Sequence, residues 1–230
     1  MPQGLGWGYF FNMPYPEPAP KRAVAFIDGQ NLYYGVKGAF GYTYPNYDAL
    51  ALASNICAAK GWSLTQTRFY SGIPDAADDP FWNYFWSGKM AVMGRQGVHV
   101  YSRHLRYRNK KVKLPNIKDF GAMAGKDYTF LAAEEKGIDV RLSLDVIRLA
   151  LNRTYDVALV FSQDQDLSEV ADEIRSIAKE QGRWLHIACA YPNSPASVNK
   201  RGINKADWIK IDRATYDSCL DTRDYRPPKI

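Results

Sequence analysis

Two short segments constrain this chain more than any other part of it: AVAFIDGQN (residues 23–31) and DVALVFSQDQD (residues 156–166). Each is a run of apolar, partly β-branched residues that stops abruptly at aspartate. Continuous apolar runs of this length suit strands buried on both faces of a parallel sheet. In open α/β sheets, ligands sit outside the carboxyl ends of such strands. Two strands that deliver carboxylates to one edge therefore point to an acidic site, and such a site calls for a divalent cation.

The remaining chain alternates in the same sense. Strands are expected over residues 22–27, 65–71, 98–102, 157–161, 184–190 and 206–211. Helices are expected from near Asn31 and over 46–60, 79–95, 138–151 and 167–180. This βα rhythm predicts an α/β fold with an open, mostly parallel sheet flanked by helices on both faces. A length of 230 residues suits one sizeable domain. Residues 1–20 close in PYPEPAP, which favours extended backbone, and read as an appended tail whose Trp7, Tyr9, Phe10 and Phe11 are available for packing. Residues 213–230, ending in RDYRPPKI, read as a second tail, which leaves the domain at 21–212.

Several function classes drop out. Cys57, Cys189 and Cys219 are far apart with no CxxC pair, so neither a zinc knuckle nor a disulfide framework is supported, and a reducing cytoplasm fits. His99, His104 and His186 show no ligand spacing. No GxGxxG follows the first strand, which removes a dinucleotide-binding reading. Asp28-Gly29-Gln30 does not supply the DxDx[TV] of aspartyl-phosphate phosphatases. No apolar run approaches the roughly 20 residues that span a bilayer, and the start lacks a signal-peptide pattern. A cytoplasmic protein without a membrane partner is expected.

The stretch RQGVHVYSRHLRYRNKKVKLPNIK (95–118) interrupts the rhythm with many cations and no acid. Leu105, Tyr107, Val112 and Leu114 alternate around Arg108-Asn109-Lys110-Lys111, which reads as an inserted basic hairpin with its turn at those four residues. Arg103, Arg106, Arg108, Lys110 and Lys111 stand close to Tyr101, His104 and Tyr107, a mixture that suits phosphate contacts and base stacking on RNA. The net charge of +6 is compatible with a polyanion.

The acidic residues have three sources. Asp28 ends the first apolar run, with Asn31 at the following helix start; Asp164 and Asp166 follow the second, behind Ser162. In EKGIDVRLSLD, Gly137 would precede a helix and Asp139 would sit in its first turn. Asp145 lies about 240° further round that helix, so the two do not share a face. Asp139 is the better candidate for the site, and Asp145 is placed to pair with Arg141 at i,i+4. Aspartate is also a good N-cap, so any one of these could simply begin a helix.

FIDGQN, EKGIDVRLSLD, FSQDQDL and NKADWIKI, in this order, resemble the motifs of the NYN domain, a LabA-like branch of the PIN-like ribonuclease superfamily. The resemblance covers about residues 21–212. It matches the family's first-strand Asp and Asn to Asp28 and Asn31, and its Lys-Gly-hydrophobic-Asp helix start to Lys136, Gly137 and Asp139. The later helix acid matches Asp145, the Ser-x-Asp-x-Asp motif matches Ser162, Asp164 and Asp166, and the late Ala-Asp matches Ala206 and Asp207. The usual form carries Gly between Ser and Asp, where this chain has Gln163. The resemblance implies a PIN-like, Rossmannoid fold and a metal-dependent ribonuclease. Its Mg²⁺ or Mn²⁺ would be held by Asp28, Asp139, Asp164 and Asp166, with Asn31 in the catalytic set and Lys136, Asp145, Ser162 and Asp207 as secondary candidates.

Two other readings stay open from sequence: a non-catalytic RNA- or protein-binding module on the same fold, and another metal-dependent phosphodiesterase. The oligomeric state is open as well, a homo-oligomer included.

Overall fold

In the computed structural model, residues 15–113 and 126–228 are described. The expected roles of Trp7, Tyr9, Phe10, Phe11 and Leu114 lie outside them. The chain runs β1 (Lys21–Asp28), α1 (Gly29–Phe40), α2 (Ala49–Ala59), β2 (Trp62–Ile73), α3 (Pro80–Arg95) and β3 (His99–His104). An antiparallel pair follows, β4 (Arg106–Lys113) and β5 (Asp127–Glu134). Then come α4 (Ile138–Leu151), β6 (Val157–Phe161), α5 (Ser168–Glu180), β7 (His186–Pro192), β8 (Asp207–Ile211) and α6 (Arg213–Asp217).

Six strands form one parallel sheet in the order β3-β2-β1-β6-β7-β8. Side chains alternate across it. Ala23, Ala25 and Ile27 of β1 pack with α1, α2, α3 and α6, while Val24 and Phe26 pack with α4 and α5. Both faces of β1 and β6 are covered, which is why their sequences are continuously apolar. The chain builds outward from β1 to β2 and β3, then returns to place β6 on the other side. β1 and β6 therefore flank the topological switch point, where ligands bind in folds of this kind. Aspartates start four of the helices: Asp28, Asp48, Asp79 and Asp212 each accept a backbone N–H from the first turn beyond them.

The basic insertion differs from its sequence reading. Arg103 belongs to β3 of the main sheet. Residues 108–111 make no turn, because β4 runs straight through them and pairs with β5 from Arg106↔Glu134 to Lys113↔Asp127. A tight hairpin turn needs positive φ, usually from glycine, and Arg108-Asn109-Lys110-Lys111 has none. The chain therefore stays extended and finds its partner fourteen or more residues further on.

The segment after β8, which suggested a tail, packs onto the domain. Tyr216, Cys219 and Tyr225 are buried, and Leu220 bridges to Tyr47. Lys89 of α3, 1% exposed, donates to the Tyr47 carbonyl at 2.6 Å and reaches Asp221 at 3.4 Å. Its ammonium also lies 5.3 and 5.1 Å from the Tyr47 and Tyr225 ring centroids. Among the described residues, no helix is long and apolar enough to cross a membrane.

Candidate active site

The carboxyl edge between β1 and β6 is tied together by side chains. Asp28 ends β1 and caps α1, its Oδ1 accepting the Asn31 N–H at 3.0 Å. Its Oδ2 accepts the Ser162 hydroxyl at 3.3 Å, and the Ser162 oxygen accepts the Asp164 N–H at 3.2 Å. Asn31 completes the link by accepting the Gln163 N–H on Oδ1 at 2.8 Å. Asp164 accepts the Asp166 N–H at 3.0 Å and so begins a single 3-10 turn, Gln165–Leu167. Capping is thus a real role for Asp28 and Asp164, but it does not exhaust them. Both sit within electrostatic reach of each other, and Asp139 reaches Asp28 from the first turn of α4. Asp166 is exposed in its turn.

A further carboxylate joins them. Glu135, between β5 and α4, accepts the Gly72 N–H at 2.9 Å, just past the level of Asp28 on the neighbouring strand β2. A side chain at position 72 would place its Cβ 2.8 Å from Glu135 Oε2 and 2.4 Å from Leu105 Cδ2, so any larger residue there must displace these two side-chain ends. Burial pushes the Asp28 carboxyl up to about 6, with the Asp164 and Asp139 charges adding to it against the bonds from Asn31 and Ser162. Burial likewise pushes Glu135 up to about 7, helped by the charges of Asp28 and Asp139. The electrostatics thus group Asp28, Glu135, Asp139 and Asp164 at one strand-end edge.

Asp145 lies apart from this set. It is 2% exposed and holds the Tyr70 hydroxyl and Arg68 at 3.0 Å, Arg141 at 3.1 Å and Arg148 at 3.2 Å. Burial would raise its pKa, but the Tyr70 hydroxyl and the guanidiniums of Arg68 and Arg141 keep it below the usual carboxylate range. Asp207 opens β8, at the amino edge of a parallel sheet whose carboxyl edge bears Asp28, and pairs with His186 at 3.2 Å. Lys136 lies 3.9 Å from Glu134.

On the β4–β5 arm the cations divide by face. Arg106, Arg108 and Lys110 share one side and Lys111 the other. Arg108 and Lys110 approach Glu134 at 3.9 and 3.0 Å. Opposite Lys110 and Val112 stand Phe130 and Tyr128, whose exposed rings stack at 6.1 Å and 18° on the cationic face. Arg103 donates to the Tyr101 hydroxyl at 2.7 Å and its guanidinium lies against Gly137, the left-handed residue (φ 73°) that starts α4.

A family model of the NYN domain matches residues 22–207. The chain belongs to the NYN domain family. That family is of the PIN-like nuclease type, and the parallel sheet flanked by helices agrees with it. No curated protein matches the chain. Among solved structures, this NYN domain is similar to a Vibrio parahaemolyticus protein of unknown function, with 16% identity, TM-score 0.48, and coverage of 86% of this chain and 97% of that one. It is also similar to MurG of Acinetobacter baumannii, with 12% identity, TM-score 0.31, and coverage of 83% and 45%. Both TM-scores lie below 0.5, and neither likeness bears on function.

Within this NYN domain, Glu135 is the candidate residue that the sequence reading passed over. Its only sequence signals are the acid pair Glu134-Glu135 ahead of Lys136-Gly137 and the glycine that ends the Tyr70-Ser71-Gly72 stretch of β2. Among the described residues, no three His, Cys, Asp or Glu side chains are drawn together as a ready-made metal cage. The donor chemistry nonetheless fits a hard divalent cation. Asp28 and Glu135 are half-buried oxygen donors whose protonation is favoured by burial and mutual repulsion. A cation removes that repulsion, and Mg²⁺ keeps several waters, so one or two direct carboxylates suffice.

Proposed function

We propose that this protein is a ribonuclease that hydrolyses RNA phosphodiester bonds with the help of Mg²⁺ or Mn²⁺. The observation that carries the reading is the grouping of Asp28, Glu135, Asp139 and Asp164 at the β1–β6 switch point, with Asp28 and Glu135 raised to about 6 and about 7. When bound, the cation would orient a water and offset charge developing on the phosphodiester. Asp28, with Glu135, Asp139 or Asp164, would hold it. Ser162 and Asn31 fix the Asp28 carboxylate and the backbone after β6, so that the carboxylates are oriented before substrate arrives.

The arm supports RNA as the substrate. Arg106, Arg108 and Lys110 would meet phosphates while Tyr128 and Phe130 offer ring faces for bases. Phosphate contacts position the strand without reading its sequence.

The test is cleavage of a mixed RNA pool with Mn²⁺, Mg²⁺ or EDTA, by the wild type and by Asp164→Asn and Glu135→Gln. Metal-dependent cleavage that both substitutions abolish is the expected result. Binding without cleavage under every metal condition would make the protein a binding module instead.

A further inference from the structure

A cavity of about 400 Å³ opens beside the acidic edge, and Asn31 and Gln163 line it as well as bordering the carboxylates. Its floor is one face of α1, where Gly35, Gly38 and Ala39 recur at i, i+3 and i+4. A Cβ built at Gly38 meets nothing within 4 Å, so the floor there is open. The far wall is Pro192 at the end of β7 and the loop that follows it, with Ser197 and Asn199. Tyr34 and Val198 also line the cavity, yet they stay 62% and 98% exposed. Exposed apolar side chains at the mouth of a polar-edged cavity have surface to offer a ligand.

The wall is built rather than incidental. Gln163 donates its side-chain amide to the carbonyls of Asn199 (3.2 Å) and Arg201 (2.7 Å). Tyr191 donates to the Lys200 carbonyl at 3.1 Å, and Ser194 ties the loop to α1 by donating to the Ala39 carbonyl at 2.7 Å. These bonds turn backbone carbonyls inward and leave the side chains of Lys200 and Arg201 exposed on the same loop. Gln163 stands where the resembling motif usually has glycine, so the residue that departs from the pattern is the one that holds the cavity wall.

We infer that this cavity takes one unpaired nucleobase of the substrate strand, stacked against Tyr34, beside the phosphodiester presented to Asp28 and Asp164. The inference rests on the RNA reading above and narrows it to single-stranded RNA, because a base paired in a duplex cannot leave its stack to enter. An aromatic face, amide groups at the edges and cations on the neighbouring loop match the three parts of a nucleotide: ring, ring edge and phosphate. The shared Asn31 couples base placement to the position of Asp28.

The experiment titrates the full chain in EDTA with a short fluorescent single-stranded RNA, and with copies in which one abasic position is moved along the strand. One abasic position is expected to weaken binding roughly fivefold or more, the loss typical of a stacked base. Gly38→Leu fills the floor and raises helix propensity, so the variant stays folded. It should weaken the intact RNA to the same level and lose all sensitivity to the abasic position. Tyr34→Ala, which removes an exposed ring, should do the same. Equal affinity of the wild type and both variants for the intact strand overturns the inference, as does a duplex that binds as well as the single strand. Mn²⁺-dependent cleavage is measured in parallel on the wild type. Cleavage with no effect of the pocket variants removes the pocket alone, whereas an RNA neither bound nor cleaved removes both readings.

Discussion

The backbone N–H of Gly72 and the carboxylate of Glu135 meet at 2.9 Å, joining the end of β2 to the segment that launches α4. That single bond sets where a half-buried acid stands relative to Asp28. Gly72→Ala should therefore act on the site through Glu135. The added methyl displaces the ends of the Leu105 and Glu135 side chains, and the hydrogen bond from the Gly72 N–H lost with that shift costs about 1 kcal/mol. Chemical denaturation should show that loss, and metal-dependent cleavage should fall with it. A variant with unchanged stability would mean that the two segments move apart freely.

The raised acids make an opposite prediction for their own removal. In the folded chain Asp28 and Glu135 bind protons more tightly than when unfolded, so they favour folding at low pH and oppose it as pH rises from about 4 to about 7. Asp28→Asn and Glu135→Gln should each raise metal-free stability near pH 8, by about 1–2 kcal/mol once partial solvent access is allowed for. The gain should vanish near about pH 4, where the wild-type acids are already protonated. Asparagine still caps α1, so the helix start is kept. Thermal melts across pH give the measurement; a destabilised Asp28→Asn at every pH would contradict the assignment.

Asp145 should behave with the reverse sign. Its pKa is depressed, so its contribution is present above the ordinary aspartate range and is lost as pH falls through the lower folded value. Asp145→Asn removes the charge that three arginines share and should cost about 3 kcal/mol at neutral pH. Denaturation midpoints at neutral and acidic pH check this, with the deficit shrinking at the acidic end.

These contrasts show what local pattern can and cannot carry. The strands ending at Asp28 and Phe161 were legible because burial on both faces leaves an unbroken apolar run. The pairing of Asp145 with Arg141 was legible because helical spacing dictates it. Its bonds to Arg68 and Tyr70 were not, since those residues come from β2, more than seventy positions away. Glu135 was hidden because its partner is a backbone N–H, which leaves no mark on side-chain chemistry. The arm was misread because the true partner of β4 lies beyond residues 114–125, while the nearer alternation imitated a hairpin.

The division of the arm into two faces is open to test. Arg108→Ser with Lys110→Ser should weaken RNA binding and lower the slope of log K against log salt by roughly 0.7 for each lost phosphate contact. Tyr128→Ser with Phe130→Ser should weaken binding while leaving the slope unchanged, since stacking releases no counterions. Lys111→Ser, on the opposite face, should have the smaller effect. Fluorescence anisotropy across a salt series separates these outcomes, and equal losses on both faces would dissolve the distinction.

The enclosure of Lys89 by Tyr47, Asp221 and Tyr225 bears on the order in which the molecule comes into being. During synthesis α3 leaves the ribosome long before residue 221 does. Until then its ammonium lacks Asp221 and has only the weaker influence of Asp48 to set against the cost of burial, an arrangement that opposes closure. The α2–α3 side of the sheet therefore settles only when the final stretch arrives. A nascent chain halted after β8 would present that layer to chaperones and proteases, so translation must run past the acidic strand-end segments before the fold that carries them is secure.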